Sequence, residues 1–397
     1  MIRLSFVQTG LLLSVCLLIL NPSHAQDQPD TTQKDLIDYT FQILKLKAAR
    51  DPDQSSRKVR FSFAPASSPA QQRVTLISAI NLAFYRGDPA ITNLSTVYFY
   101  PYTNFAGRYS FSVLSNIWSA ENRFNLTSDF KISHNTYNDY GLGSGSSIDS
   151  VSVLEYNHTR LHLQVSRLVF GYFYAGIGYY YDQYFNVSQT SLDVLTTDFE
   201  DYPYGTTSTT ATSGLTVNLL RNSRKNSINP DGGFYTSISY RMFFPWLGST
   251  YTWNALYADV RKYFRVPTKK RSILATRALY WDTWGEVPYL DMPATFTDVE
   301  SRVGRGYRYA RFRGRGMLYG EAEYRFTLSR NQFWGGVVFV NAQSLRETPS
   351  GKFTYVNPAA GFGLRVKFNK RSEANLTFDF AFGKDSFNYY INIGEFF

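Results

Sequence analysis

The sequence contains a single cysteine, Cys16, among its 397 residues. The residue before it, Val15, is not the small residue that lipoprotein signals place there, so the pattern does not favour lipidation. Once the leader described below is removed, the chain has no thiol. A disulfide framework and a cysteine-ligated metal site are therefore excluded. Avoidance of cysteine also suits a chain that crosses an oxidising periplasm.

The sequence also lacks any run of about twenty apolar residues, the length that a transmembrane helix requires. The apolar run from Leu11 to Leu20 is half as long, follows Arg3 and is ended by Pro22. Small residues flank His24 at a cleavage site that ends in Ala25. The pattern predicts a secretory signal peptide over residues 1–25, and no transmembrane helix in the mature chain.

Acidic residues are outnumbered by basic ones, 31 to 41, and the formal charge of +10 falls to +9 when Arg3 is removed with the leader. A basic chain can bind nucleic acid, but an exported chain does not meet it, so no nucleic-acid partner is expected. Outer-membrane lipids, the phosphates of lipopolysaccharide or acidic chains are the expected partners. Aromatic residues reach 17% while mean hydropathy is −0.28, a combination typical of a barrel with lipid outside and water inside.

Residues 26–56 differ from the rest of the chain. Between Asp35 and Leu44 the apolar residues recur at helical spacing, and Asp51-Pro52-Asp53 ends the pattern. The segment predicts one short amphipathic helix on the periplasmic side. Two roles remain open for it: a plug or brace for the barrel, or a peptide that docks on a partner.

From Arg57 onward the sequence consists of short alternating segments separated by turn residues, which is typical of membrane strands. The predicted fold is therefore all-β, a sixteen-stranded antiparallel transmembrane β-barrel over residues 57–397. A water-soluble β-sandwich is the alternative for any single strand. The sixteen segments lie near residues 58–64, 72–85, 94–104, 107–118, 121–133, 150–168, 169–185, 211–223, 232–245, 249–265, 271–283, 315–328, 333–343, 358–369, 372–384 and 387–397.

Alternation assigns the two faces of each strand. Phe362 and Leu364 fall on one face near the end of the chain, whereas Arg365 and Lys367 fall on the other. A charge facing the middle of the bilayer costs ~2–4 kcal/mol, so the apolar face must meet lipid and the charged face the lumen. Long connections are expected on one side of the barrel, near residues 134–149, 186–210, 284–314 and 344–357.

The last segment alternates up to an aromatic chain end, with Tyr389, Ile391, Ile393 and Phe397 on one face. This pattern resembles the terminal-strand signal by which outer-membrane barrels are recognised for assembly. It implies the barrel-assembly machinery as a partner during biogenesis. An ordinary closing strand would have the same appearance.

A glycine- and arginine-rich stretch, residues 303–314, precedes the twelfth strand. With the C-terminal pattern it resembles the BamA/TamA superfamily of outer-membrane insertion and translocation barrels, also called the bacterial surface antigen family. The resemblance implies that Arg305, Gly306 and Tyr307 form a loop motif that folds into the lumen, where Glu323 is the acid that pairs with the arginine. A bidentate carboxylate is the best acceptor for a guanidinium in a partly dehydrated lumen.

The resemblance covers roughly Arg57 to Phe397, and two positions depart from the family pattern. Gly304 stands where the family has Val or Ile, and Asn341 stands where a second acid partner of the arginine is aligned. A looser grip on the loop is therefore expected. A further stretch, Asn229 to Gly233, also resembles the family.

Relatives that assemble proteins usually carry periplasmic polypeptide-transport-associated (POTRA) domains. Thirty residues between the leader and the barrel cannot form one, so the sequence indicates a form without POTRA domains. A periplasmic or lipoprotein partner is then expected to supply the missing function.

Two further patterns contain residue types that are found in binding or catalytic sites. Residues 302–316 have the glycines of a phosphate loop, but no helix-forming segment follows. His158 and His162 share one strand face with Arg160, and neither a third metal ligand nor a Ser or Asp partner is apparent. The histidines are predicted to line the pore, and no catalytic residue, metal or cofactor is predicted.

Three functions follow from this pattern. The leading one is a non-enzymatic barrel that opens at its first and last strands, or disturbs the bilayer, to assist assembly or transport of protein or lipid. Its basis is the short first strand, which ends at Pro65, a residue that cannot donate to a ladder. The alternative is a passive or ligand-selective channel with a basic lining. A membrane hydrolase would need an activated nucleophile, and none is evident.

Overall fold

A computed structural model describes most of the barrel and one segment before it. The predicted signal peptide lies outside the described residues, as does most of residues 26–56. The described residues are 33–43, 60–67, 76–89, 91–103, 107–149, 151–191, 198–268, 271–297, 302–370 and 373–397.

In the part of the chain that the structure describes, sixteen antiparallel strands form one sheet in which each strand pairs with the next along the chain. The predicted all-β fold and strand number are confirmed. The strands are β1 (Arg60–Ser67), β2 (Leu76–Phe84), β3 (Ser95–Thr103), β4 (Tyr109–Trp118), β5 (Phe124–Asp139), β6 (Ser152–Phe170), β7 (Phe173–Ser191), β8 (Thr209–Asn222), β9 (Gly233–Phe243), β10 (Trp253–Arg265), β11 (Ser272–Gly285), β12 (Gly316–Thr327), β13 (Trp334–Leu345), β14 (Asn357–Asn369), β15 (Ala374–Gly383) and β16 (Ser386–Ile393).

The strands β5 and β7 extend about six residues beyond their predicted ends. The first six residues of two expected long loops, 134–139 and 186–191, therefore belong to strands. Most residues of these extensions are polar; Thr136 pairs with Glu155 and Glu155 with Ser188. The ladder satisfies their backbone groups without an apolar face, so alternation gave no signal for them.

The faces predicted for Phe362, Arg365 and Lys367 on β14 are confirmed. Phe362 is 54% exposed on the outer surface, whereas Arg365 and Lys367 are buried inside. The same apolar outer face continues on β8, where Val217 and Leu219 are exposed. Among the described residues, no helix has the length and apolarity needed to cross a membrane.

Strand length varies strongly around the sheet. The strands β6 and β7 have 19 residues each, whereas β1 and β16 have 8 each. At a rise of ~3.3 Å per residue and a tilt of ~40°, an eight-residue strand spans roughly 20 Å along the membrane normal, less than the ~25 Å apolar band of such barrels. The strand β1 lies beside β16, but in the described parts of the two strands no ladder joins them. We call this junction the seam.

A short helix, α1 (Leu36–Ile43), lies on two turns of the barrel. Asp35 caps the helix by accepting the backbone N–H of Asp38 at 2.8 Å, and Asp38 accepts that of Asp35 at 3.1 Å. Asp38 also forms an ion pair with Lys370 at 2.9 Å, after β14. The ring of Tyr39 packs edge-on against Phe333, between β12 and β13, at 4.6 Å. The described residues of the helix therefore contact the barrel at these two turns, and both roles considered for the segment stay predictions.

The last four residues leave the sheet, so the prediction of a strand through Phe397 is wrong for residues 394–397. Alternation would place Glu395 on the same face as Ile393, which meets lipid. Gly394, with a φ of 91°, instead turns the chain inward, and Glu395 pairs with Arg365 at 2.9 Å. Exclusion of a carboxylate from the lipid face is the physical reason for the turn.

Because the outer face meets lipid, Leu219→Arg is expected to lower the free energy of unfolding of the barrel by ~2–4 kcal/mol. Urea unfolding in lipid vesicles measures this change. Leu219→Met is the matched control and should stay near the wild type. Equal stability of the Arg variant would place Leu219 away from the lipid.

Candidate functional site

The connection between β11 and β12, residues 286–315, folds back into the barrel, and we call it the lumen loop. Most of its described apolar side chains are buried, Tyr289, Val303 and Phe312 among them. The backbone N–H of Gly143, after β5, donates to the carbonyl of Arg313 at 2.6 Å. The loop therefore reaches across the lumen from its own strands to the opposite wall.

Two glycines bend the lumen loop on either side of Arg305. Gly304 and Gly306 have φ values of 94° and 102°, a region that favours glycine. A Cβ on Gly304 would lie 2.5 Å from the Cγ2 of Thr295, and one on Gly306 would lie 2.8 Å from the Cβ of Ala359. Gly304, which departs from the family pattern, is thus required by the local backbone of this chain.

Arg305 is fully buried and contacts three carboxylates. Its Nε donates to Glu321 Oε1 at 2.7 Å and its Nη1 donates to Asp379 Oδ2 at 3.0 Å. Its Nη2 forms ion pairs with both Glu321 and Glu323. Burial alone would lower the pKa of Arg305, but the three carboxylates raise that pKa well above its ordinary value. The guanidinium therefore stays charged, with its fork satisfied on two sides.

Two aromatic rings cover the remaining faces of this guanidinium. Its central carbon lies 3.6 Å from the ring centroid of Phe339 and 4.2 Å from that of Phe396. Both distances are within cation–π range. The rings exclude water from the ion pairs, which strengthens each of them.

Neighbouring backbone groups of the motif are also anchored. Asn341 donates from Nδ2 to the carbonyl of Arg305 at 3.0 Å, and Gly306 donates its N–H to the Tyr390 hydroxyl at 3.1 Å. The hydroxyl of Tyr307 donates to the carbonyl of Pro358 at 2.6 Å. Asn341 thus holds the loop backbone and leaves the guanidinium to the acids.

Sequence reasoning missed two of the three acids around Arg305. Glu321 lies two residues from Glu323 on the same face of β12, so strand periodicity was a sufficient signal for it. Asp379 lies on β15, 74 residues from the arginine. Only the barrel topology brings those two residues together.

The ion-pair network continues towards the chain end. Arg325 Nε donates to Glu323 Oε1 at 2.5 Å, and Arg365 Nη1 donates to Asp379 Oδ1 at 2.5 Å. Burial raises the pKa of Glu395, but Arg365 and Arg325 hold it below its ordinary value. Each buried acid in this network lies beside a guanidinium group, and this pairing offsets the free-energy cost of burying the charges.

A second arginine, Arg313, docks the far end of the lumen loop. Its Nη2 donates to the Tyr137 hydroxyl on β5 at 2.7 Å, and its Nε lies 3.5 Å from Asp139. Asp139 also accepts the Tyr289 hydroxyl at 2.6 Å. The loop is therefore fixed to both walls of the lumen, an arrangement that the sequence motif did not reveal.

The histidine pair lines the lumen beside this loop. His158 Nε2 and His162 Nε2 lie 2.8 and 2.5 Å from the two oxygens of Asp182, and Arg160 Nε donates to the same acid at 2.7 Å. The expectation that the histidines lack an Asp partner is wrong, because β7 supplies one across the ladder. In the described residues no group of His, Cys, Asp and Glu is arranged to hold a metal ion.

Asp291 of the lumen loop contacts the wall at β7 and β8. It accepts the hydroxyl of Thr212 at 2.6 Å and that of Tyr184 at 3.1 Å. Burial, followed by repulsion from Asp182, raises the pKa of Asp291 to about 7. This loop acid therefore carries a proton in mildly acidic conditions.

The residues of the predicted terminal signal separate in the structure. Tyr389, Ile391 and Ile393 lie on β16, and Tyr389 is on the exposed outer surface. Phe397 instead packs in the lumen against Tyr263, and its carbonyl accepts Arg325 Nη2 at 2.8 Å. Recognition of these residues by an assembly machinery stays a prediction.

The described strands form the sixteen-stranded antiparallel sheet of a transmembrane β-barrel, with a lumen loop held by a buried arginine. Residues 80–397 match the Omp85 superfamily domain. The chain belongs to the Omp85 superfamily and is an outer-membrane protein. A comparison with curated protein sequences finds no match.

Solved structures share the fold at low sequence identity. BamA from Haemophilus ducreyi lacking POTRA domains 1–3 is 13% identical with a TM-score of 0.55, covering 85% of this chain and 70% of its own. CdiB from Acinetobacter baumannii is 12% identical with a TM-score of 0.56, covering 85% and 60%. CdiB from Escherichia coli is 10% identical with a TM-score of 0.53, covering 83% and 62%. The chain thus spans less than two thirds of either CdiB chain.

Replacement of Arg305 by Ala leaves three buried carboxylates without their shared cation. We expect the free energy of unfolding to fall by ~3–5 kcal/mol, and protease cleavage within residues 302–315 to increase. Urea unfolding and limited proteolysis of the purified barrel measure both effects. Arg308→Ala is the matched control because that side chain is exposed in the same loop. Equal protection of the Arg305 variant would contradict the role of this arginine in docking.

Docking of Asp291 is expected to depend on pH. In the docked loop, Asp291 keeps its proton up to about pH 7, whereas a free carboxyl group loses its proton near pH 4. Docking of the loop should therefore weaken as pH rises from about 4 to about 7 and then stay constant. The slope is at most roughly 1.4 kcal/mol per pH unit. Proteolysis of the loop at pH 5 and pH 8 measures it. Asp291→Asn should remove the dependence and Asp385→Asn, at an exposed turn, should keep it.

Proposed function

We propose that this barrel assists insertion or translocation of polypeptides at the outer membrane by opening at its seam. The observation that carries the proposal is that β1 lies beside β16 without a ladder in the described parts of those strands. Unpaired edge strands are templates for another strand. An incoming segment can therefore pair with a free edge while it enters the lipid.

The short seam strands support the same function. Both β1 and β16 have 8 residues. With the rise and tilt given above, each spans ~5 Å less than the thickness of the apolar band. Lipid must thin locally to match a short apolar surface. A thinner bilayer beside the seam lowers the free-energy barrier for a polypeptide to insert there.

The filled lumen argues against a passive channel as the primary function. Arg305 and Arg313 hold the lumen loop to opposite sides of the barrel through buried contacts. An open pore requires the loop to leave, which would expose several unpaired buried charges. The channel alternative therefore depends on a second conformation of the loop.

The proposed role is non-enzymatic. A histidine that activates a nucleophile needs its Nε2 atom directed at that nucleophile. The Nε2 atoms of His158 and His162 both face Asp182 instead. This arrangement supports a structural role for the histidines in the lumen wall.

Partners belong to the same proposal. Outer-membrane lipids and lipopolysaccharide surround the exposed apolar face, and the barrel-assembly machinery would fold the chain. The rim where α1 lies on the turns near Phe333 and Lys370 is a surface on which a periplasmic or lipoprotein partner would act.

Locking the seam tests the proposed function. Cysteines are paired between position 64 on β1 and positions 388, 390 or 392 on β16, in full-length protein that carries Cys16→Ser. An oxidised pair should block insertion of a fluorescent β-barrel client into liposomes, and reduction should restore it. Seam opening is the step that the disulfide prevents.

The matched control is Ala381→Cys with Asn388→Cys, a facing pair within the β15–β16 ladder. Its disulfide leaves the seam free, so client insertion should continue. Unchanged insertion with a quantitatively oxidised seam pair would overturn the proposal. Stable open conductance of the locked barrel in single-channel recordings would then favour the channel.

A further inference from the structure

One buried arginine on the lumen face stands apart from the ion-pair network. Arg241, on β9, is 8% exposed, and its Nε has no hydrogen-bond partner among the described residues. Within those residues no carboxylate forms an ion pair with it, whereas Arg277 and Arg305 each have an acid partner. Burial of a cation without a counter-ion is costly. Such a side chain is expected where a ligand supplies the negative charge.

Aromatic rings hold the guanidinium of Arg241 in place without neutralising it. Its central carbon lies 4.8 Å from the ring centroid of Tyr180, 5.0 Å from that of Tyr257 and 5.8 Å from that of Trp281. These rings restrict the orientation of the fork. The ordering of the side chain is therefore completed before any ligand arrives, which favours binding.

The same cavity contains two further donors without acceptors. Trp253 Nε1 and Trp281 Nε1 are buried, lack hydrogen-bond partners among the described residues, and line the cavity together with Arg241. An indole nitrogen can only donate a hydrogen bond. A buried set of donors is satisfied by a group that only accepts, and an oxyanion has that property.

The strand register explains why the donors share one space. Arg241 faces Ala255 in the β9–β10 ladder, and Tyr257 faces Trp281 in the β10–β11 ladder. Trp253 and Ala255 are two residues apart, so their side chains point to the same face. The small side chain of Ala255 leaves room between the larger residues on each side of it.

The surrounding charge of the cavity also favours an anion. Lys131 and Arg160 line it, and Asp182 is already shared by Arg160 and both histidines. Burial raises the pKa of Asp291 to about 7, so that acid adds little negative charge in mildly acidic medium. Asp129 retains one oxygen without a donor, but it lies on β5, four strands away from Arg241.

We infer that the lumen cavity is a phosphate-binding site in which Arg241, Trp253 and Trp281 donate to the oxyanion. The phosphate comes either from free phosphate or from the phosphorylated headgroup of a glycolipid such as those of the outer leaflet. The site goes beyond the proposed function, because it neither requires the seam nor contributes to its opening. It gives the barrel a ligand that is recognised inside its wall.

Binding of inorganic phosphate to the purified full-length barrel, in zwitterionic nanodiscs, tests the site by calorimetry and thermal unfolding. Phosphate should raise the unfolding temperature of the wild type, since a ligand of the folded state stabilises it. Arg241→Met should weaken phosphate binding at least about tenfold and remove the thermal shift. Trp253→Phe, which keeps the ring and loses one donor, should weaken binding by several fold.

The matched control is Arg221→Met. Arg221 also stacks on two rings, Phe173 and Phe234, but it does not line the cavity. Its loss should leave phosphate binding unchanged. Folding of every variant is verified by heat-modifiable gel mobility, and Trp253→Phe decides the test if the Arg241 variant does not fold.

Two sources of phosphate are distinguished by nanodiscs that contain a bis-phosphorylated glycolipid or its dephosphorylated form. Competition by the phosphorylated form alone would assign the site to the headgroup, whereas free-phosphate binding that neither lipid changes would assign it to the inorganic ion. Absence of binding in the wild type, or equal binding in Arg241→Met, would overturn the inference.

Discussion

The buried guanidinium of Arg305 is the interaction on which the interior of this barrel depends. A single buried cation would be strongly unfavourable, and three clustered carboxylates would be more so. Each becomes tolerable only because Glu321, Glu323 and Asp379 meet the same fork. The lumen loop, β12 and β15 must therefore take their positions together, since none of the charges has an acceptable place alone.

The network makes the barrel mechanically uneven. Tyr390 on β16 and Phe396 after it contact the motif around Arg305, so the last strand is tied to the interior. The other side of the seam is β1, near the start of the barrel. Its ladder partner is β2. A tied last strand beside a junction without a ladder in the described residues is the arrangement on which the proposed opening at the seam rests.

The sequence predicted those features that depend on local pattern. Alternation located sixteen strands and the lipid face, and the resemblance of residues 305–307 to a family motif implied a loop that folds into the lumen. Features that depend on distant residues were not predictable. Asp379 reaches Arg305 only through the barrel topology, and Asp182 reaches the histidines only across the β6–β7 ladder. The polar extensions of β5 and β7 lacked an apolar face, so no periodic signal distinguished them from loop.

The inward turn of the last four residues has a consequence for the order of folding. Phe397 packs against Tyr263 and Ile273, which belong to β10 and β11, so its site exists only after those strands have formed. The chain end is accessible on an unfinished barrel and enclosed in a finished one. Any factor that contacts the Phe397 ring must do so before the wall is complete, because that ring is buried once β10 and β11 surround it.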